Sequence, residues 1–156
     1  MQYKHFICDV DGCLNDGVIY WGQDGKPFKA FGNYDHEGLK FLKGHLNIEF
    51  ITADKAGWDI SHSRIVNHMG FPLTLVSESH RYIFVEQFGF ESTVYMGDGF
   101  HDAKIIQAAA LGIAPLQARQ EAREVADFVT ASKGGEGAVM DACLHILNKM
   151  DIIYGL

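Results

Sequence analysis

The stretch His5-Phe6-Ile7-Cys8-Asp9-Val10-Asp11-Gly12 decides how this chain is read, because an apolar run ends there in two carboxylates one residue apart. Residues i and i+2 of a strand point to the same side, so Asp9 and Asp11 converge where a buried strand opens into a loop. Like charges held that close repel, and one of them takes up a proton unless a cation intervenes. The pair by itself leaves two readings open. One is an Asp-Gly turn closing a hairpin; the other is an acidic dyad that holds a metal ion or divides acid and base work.

Outward from this stretch, short apolar runs at 4–8, 48–52, 73–76, 93–96 and 112–114 alternate with helix-like spacing over 37–45, 57–68, 81–88, 102–110 and 136–149. That alternation predicts an α/β fold, a Rossmann-like parallel sheet with helices on both faces. Ligands in such sheets bind beyond the carboxyl ends of the strands, where strand order reverses. With no repeat, linker or low-complexity tract, residues 1–156 read as a single domain. One segment breaks the alternation: residues 18–22 and 27–31 flank Gln23-Asp24-Gly25-Lys26, which predicts a β-hairpin after the first strand. It carries Tyr20, Trp21 and Phe28, and an aromatic hairpin too small to bury itself packs on something. A flap over the site or an oligomer contact is the expectation.

A net charge of −7 argues against nucleic acid or an anionic membrane surface as partner. No apolar run reaches the length of a membrane span, and Met1-Gln2-Tyr3-Lys4 does not lead into a signal-peptide pattern, so a cytoplasmic location is the default. The three cysteines, Cys8, Cys13 and Cys143, form no CxxC pair and are odd in number, so neither a zinc knuckle nor a disulfide framework is indicated; they suit small buried hydrophobes in a reducing compartment. None of the eight histidines forms an HxxxH pair; solvated or structural roles are expected, with His101 the one that lies among acids.

Further groups fall at the expected carboxyl ends of strands. Thr52 ends the second, Arg81 opens the helix after the third, and Asp98 and Asp102 lie in Gly97-Asp98-Gly99-Phe100-His101-Asp102 after the fourth. Their chemistry fits a phosphate monoester. A carboxylate, Asp9, attacks phosphorus and splits a hard hydrolysis into two easier steps. A second acid two residues on, Asp11, protonates the leaving oxygen and later deprotonates water. Carboxylates meet a dianionic phosphate only with a hard cation, and Mg²⁺ suits the oxygens of Asp9, Asp98 and the Asp11 main-chain carbonyl, with Asp102 nearby. Arg81 and Thr52 address the phosphoryl oxygens, and Gly12, Ala53 and Gly99 mark phosphate-binding positions where backbone comes close.

Asp9-Val10-Asp11-Gly12, Thr52, Arg81 and Gly97-Asp98 with Asp102 together resemble the four motifs of the haloacid dehalogenase-like phosphatases. The early hairpin and Ala131-Ser132-Lys133-Gly134-Gly135-Glu136-Gly137-Ala138 extend the resemblance to the capless subgroup typified by 3-deoxy-D-manno-octulosonate 8-phosphate phosphatase. The resemblance implies Mg²⁺ dependence, a small phosphorylated sugar or sugar acid as substrate, no cap domain, and a homotetramer in which neighbouring hairpins close the sites. Three positions depart from the subgroup. Thr52-Ala53-Asp54 stands for Thr-Gly-Arg, Arg81 for a lysine, and Val139-Met140-Asp141 for Val-Arg-Glu. Two arginines are thereby absent, so a substrate differing from the type compound is an expectation, with Lys55 or Arg64 as compensating cations. Asp35 reads either as a helix N-cap or as a residue near substrate. The alternatives to an enzyme are a catalytically idle module with an oligomerisation or regulatory role, which the intact acids oppose, and a receiver domain, whose phosphoacceptor lies near the third strand rather than the first.

Overall fold

A computed structural model describes residues 2–154 of the chain. Six parallel strands form one sheet: β1 (His5–Asp9), β2 (Asn47–Thr52), β3 (Leu73–Leu75), β4 (Thr93–Met96), β5 (Leu111–Ala114) and β6 (Phe128–Val129), in the order β3-β2-β1-β4-β5-β6. Cys8 pairs in register with Phe50 on one side and Met96 on the other, so β1 is central. A central strand is covered on both faces, which explains why its sequence is apolar at every position before Asp9 except the first.

The strand period of two sorts the core. Phe6 and Cys8 join Phe50, Val94, Met96 and Ile113 on one face, under α1 (Asp35–Leu42) and α6 (Ala138–Lys149). Ile7 joins Ile51, Tyr95 and Ala114 on the other, under α3 (Arg81–Glu86), α4 (Ala103–Ala108) and α5 (Gln120–Val125). α2 (Trp58–His62) runs into a π-helical stretch, Ser63–Met69, that places Ile65 and Met69 on the first face. α1 and α6 approach closely because Gly38 lacks a side chain: a Cβ there would lie 2.8 Å from Met140 Cα.

β2 and β4 flank β1, so strand order reverses between β1 and β4 and leaves a crevice at their carboxyl ends. Asp9 ends β1 and Asp98 follows β4, one on each side of it.

The observed elements match the sequence expectation to within two or three residues at most ends, with two additions. α5 and β6, six and two residues long, are too short to carry a readable period and are set by tertiary pairing, Phe128 lying in register with Ile113 of β5. The segment after the first strand doubles back between two antiparallel bridges, Asn15 with Phe31 and Gly22 with Gly25. The stretches between those bridges form an extended excursion without a continuous ladder. Trp21 and Phe28 are exposed on it, whereas Tyr20 folds back, its ring 5.0 Å from that of Phe28 and its hydroxyl donating to Asp16 at 2.6 Å. Among the described residues, no helix is long and apolar enough to cross a membrane.

Candidate active site

β1 delivers Asp9 to the crevice, and the chain then turns tightly through Val10–Leu14. Gly12 makes the turn feasible at φ 91°, where a side chain is strained, and a Cβ there would collide with the Asp98 carboxylate. The turn is therefore fitted against the loop after β4.

Asp9, Asp98 and Asp102 each place a carboxylate oxygen within 4.8 Å of the others. Arg81, the first residue of α3, joins them: its Nη1 donates to Asp9 Oδ2 at 3.1 Å and Asp102 Oδ1 at 2.8 Å, and its Nε has no partner among the described residues. Asp102 also accepts from the Tyr95 hydroxyl at 2.5 Å and from the N–H groups of Asp98 and Gly99 at 3.1 and 2.8 Å. It thus ties the loop to β4 and α3. Asp9, Asp102 and Arg81 are all buried. Burial pushes the Asp9 carboxyl well above the usual carboxylate range; Arg81 opposes this, while Asp102, Asp98 and Asp11 add to it. Burial and then Asp102 push Asp98 up to about 6. Burial works against the Arg81 charge, but Asp9, Tyr95 and Asp102 outweigh it and raise its pKa.

Three carboxylates against one guanidinium leave negative charge in excess, and burial together with the neighbouring acids pushes Asp9 and Asp98 toward protonation. Hard oxygen donors at this spacing suit a small divalent ion such as Mg²⁺. The residues present fit that group.

Asp11 faces elsewhere. Its Oδ1 accepts from Lys29 Nζ at 2.8 Å and Asn15 Nδ2 at 2.9 Å, and its Oδ2 accepts from the Thr52 hydroxyl at 2.9 Å. Its side chain thus lies outside the carboxylate trio, and the donor expected of this position is its main-chain carbonyl. The cause is a set of donors waiting on the other side. An arrangement of three clustered carboxylates, a buried guanidinium and a fourth carboxylate held apart can bind a cation, present an anionic nucleophile and keep a separate proton carrier.

Comparison with known proteins agrees with this geometry. A model of the haloacid dehalogenase-like hydrolase family matches residues 80–142. The 3-deoxy-D-manno-octulosonate 8-phosphate phosphatase of Yersinia pestis is 32% identical over 154 residues, spanning 96% of this chain and 82% of that protein. The chain belongs to the haloacid dehalogenase-like phosphatases. The corresponding Escherichia coli K12 phosphatase is 31% identical over 144 residues, covering 88% of this chain and 75% of its own. Among solved structures, the Moraxella catarrhalis 3-deoxy-D-manno-octulosonate 8-phosphate phosphatase, in complex with magnesium, phosphate and KDO, superposes with a TM-score of 0.81 at 29% identity, covering 94% of this chain and 86% of that one. The cobalt-bound Haemophilus influenzae phosphatase gives 0.81 at 25%, covering 96% and 90%.

In this haloacid dehalogenase-like phosphatase most of the expected residues line one cavity of about 390 Å³, while Gly12 and Thr52 lie behind its wall. Asp9, Asp11, Ala53, Arg81, Asp98 and Asp102 line it, with Tyr20, Phe28 and Lys29 of the excursion on one wall and Glu78 and His101 on the other. His101 Nε2 lies 3.3 Å from Glu78 at the exposed rim. Several expected donors are already engaged. The Thr52 hydroxyl is turned to Asp11, the Gly12 N–H donates to Asn15 Oδ1 at 3.0 Å, and the Gly99 N–H to Asp102.

Other expectations are revised. Lys55 is exposed, and Arg64 lies over the Phe31 ring at 5.8 Å, so neither lines this cavity. Met140 packs on α1 at Gly38, away from it. Asp35 caps a helix, but the helix is α6: its Oδ1 accepts from the Val139 and Met140 N–H groups at 3.0 and 3.1 Å. The glycine-rich segment before α6 lies directly on the Asp9 turn. A Cβ at Gly134 would collide with the Gly12 carbonyl, and Gln117 bridges the two, donating to Gly12 O at 2.6 Å and accepting from Gly134 N–H at 2.7 Å.

Sequence reading missed Lys26 and Lys29. Lys26 Nζ lies 2.6 Å and Lys29 Nζ 3.0 Å from Asp54 Oδ2. Burial would raise the Asp54 pKa, but Lys26, Lys29 and the Gly57 N–H outweigh it and hold it at about 2. The acid standing in place of an arginine is therefore the counter-charge to two lysines of the excursion. The reversal of sign at position 54 was the available signal, since an unmatched charge beside a site calls for a partner.

Proposed function

We propose that this phosphatase is a Mg²⁺-dependent phosphomonoesterase that hydrolyses a small phosphorylated sugar or sugar acid through an aspartyl-phosphate. The observation that carries the reading is the convergence of Asp9, Asp98 and Asp102 at the β1/β4 crevice with Asp11 held beside them. Asp9, Asp98, Asp102 and the Asp11 carbonyl would hold Mg²⁺, which offsets negative charge on the phosphoryl group. The Asp9 carboxylate attacks phosphorus, and as the ester P–O bond breaks the leaving oxygen takes the Asp11 proton. Water then attacks the aspartyl-phosphate, Asp11 removes its proton, and phosphate leaves. Arg81 holds Asp9 oriented, and Asp102 holds the Asp98 loop.

Relatives from Yersinia pestis and Escherichia coli bear the name 3-deoxy-D-manno-octulosonate 8-phosphate phosphatase. We assign this chain the same substrate or a related keto-sugar-acid phosphate. The cavity suits a ligand of that size, and besides Arg81 its lining carries Lys26 and Lys29, paired with Asp54 where the subgroup has an arginine. Val18, Ile19 and Phe28 are exposed on the cavity lining and Trp21 is exposed beside them in sequence, apolar surface that supports a homotetramer in which the excursions of neighbouring copies close the sites. Three buried free thiols suit the reducing cytoplasm.

Phosphate release from a panel of sugar phosphates, with and without Mg²⁺, tests the reading. Wild type should turn over at least one keto-sugar-acid phosphate only with the ion, and Asp9→Asn should abolish turnover. Equal turnover by Asp9→Asn removes Asp9 as nucleophile. Size-exclusion chromatography tests assembly, a monodisperse monomer removing the shared-site arrangement.

A further inference from the structure

Lys29 has no part in the chemistry assigned above, yet it occupies a built seat. It comes from the excursion, not the sheet, and its side chain is only 5% exposed. Its ammonium donates to Asp11 Oδ1 and Ser61 Oγ at 2.8 Å each and lies 3.0 Å from Asp54 Oδ2, which satisfies all three of its protons. Gly57 is hollowed to admit it: a Cβ there would lie 2.5 Å from Lys29 Cε and 2.8 Å from Nζ. A loop has no structural need to bury a lysine, since ordering the side chain and stripping its water both oppose folding. Here four residues from two other segments, the Asp9 turn and the region around α2, are shaped to receive one.

What the seat achieves is visible at Asp11. Thr52 holds one carboxylate oxygen, while Lys29 and Asn15 hold the other, so rotation of the carboxyl group is blocked from both ends. Thr52 belongs to the sheet and Asn15 to the Asp9 turn; Lys29 alone of the three is carried by the excursion.

We propose that Lys29 is a positioning residue for proton transfer: it fixes the Asp11 carboxyl group toward the leaving oxygen, and it does so only while the excursion is seated against α2. The proposal rests on the reading of Asp11 as proton carrier. In the step concerned, the bond from Asp9 to phosphorus forms, the ester P–O bond breaks, and the Asp11 proton passes to the departing oxygen. A sugar alkoxide is too basic to depart unprotonated, whereas p-nitrophenolate departs without help. A misplaced acid therefore slows the first class of ester and spares the second.

The test compares the single-turnover rate of leaving-group release, which reports formation of the aspartyl-phosphate and not the hydrolysis step common to both esters, for the best sugar phosphate and for p-nitrophenyl phosphate in wild type, Lys29→Met, Ser61→Ala and Asp11→Asn, each checked by circular dichroism. Lys29→Met should lose about a hundredfold in that rate on the sugar phosphate, the lower end of what a placed acid contributes, and stay within about threefold on the aryl ester. Ser61→Ala, which removes one wall of the seat, should show the same pattern more weakly, so a Lys29→Met chain that fails to fold leaves the proposal open to refutation. Equal loss on both esters, or an effect confined to KM, overturns it: the lysine then supports the fold or binds substrate. If wild type turns over both esters and Asp11→Asn lacks the leaving-group pattern, the reading of Asp11 falls and the proposal with it.

Discussion

Replacing Arg81 by Met isolates the charge balance on which the site depends. Arg81 Nη1 stands 3.1 Å from Asp9 and 2.8 Å from Asp102, and all three groups are buried. At about 3 Å and an effective dielectric constant of about 20, each contact is worth about 5–6 kcal/mol before the cost of desolvation. Most of that is offset, because burying the guanidinium with an unpartnered Nε opposes folding. Deleting only the cation returns its desolvation but strands the acids, and the net loss expected is about 3–5 kcal/mol, or about 6–20 °C in Tm for a chain of this size. The sign with pH follows from the acids. Without Arg81, burial holds the Asp9 pKa still further above its unfolded value, so Asp9 binds its proton at higher pH in the folded state than in the unfolded one, and once protonated it no longer needs the cation. The deficit of Arg81→Met against wild type should therefore be largest at pH 8 and shrink toward pH 5. Thermal melts of both proteins in chelator at the two pH values measure it, and Mg²⁺ should recover part of the loss at pH 8. A deficit of the same size at both pH values would refute the reasoning, since lost packing alone does not titrate.

Two further perturbations probe the same region. Asp98 moves from 3.8 unfolded to about 6 folded, so the folded state binds its proton more tightly and metal-free stability falls as pH rises between those values, by at most about 3 kcal/mol; Mg²⁺ needs the ionised form, so the ion should raise Tm more at pH 7.5 than at pH 5, and equal increments would count against Asp98 as a ligand. Gly12→Ala combines strain at φ 91° with a collision into Asp98; it should cost about 1–3 kcal/mol and weaken Mg²⁺ binding in a calorimetric titration, whereas unchanged Mg²⁺ affinity would mean that the turn and the loop are independent.

How far the site was legible depended on whether a residue's partner was local. Asp9, Asp98, Thr52 and Arg81 could be placed because each sits at the end of an apolar strand or the start of the next helix, and strand ends in a parallel sheet meet at one edge. The side-chain direction of Asp11 could not, because the i, i+2 rule stops where the strand stops: Gly12 turns the chain, and Lys29, Asn15 and Thr52 then draw the carboxylate away from Asp9. Asp35 looked like a cap for its own helix and serves α6, more than a hundred positions on, since an orphan N–H accepts any oxygen the fold brings near.

The sequence by itself determined the α/β class, the order of the strand ends and the carboxylates they carry, because periodicity and the placement of polar residues after apolar runs are local properties. Only the tertiary structure decided which carboxylates share a cation, why an acid stands at position 54, and that a lysine from the excursion reaches Asp11. Charges act through space at about 3 Å, and neither their distance nor their burial is written in their separation along the chain.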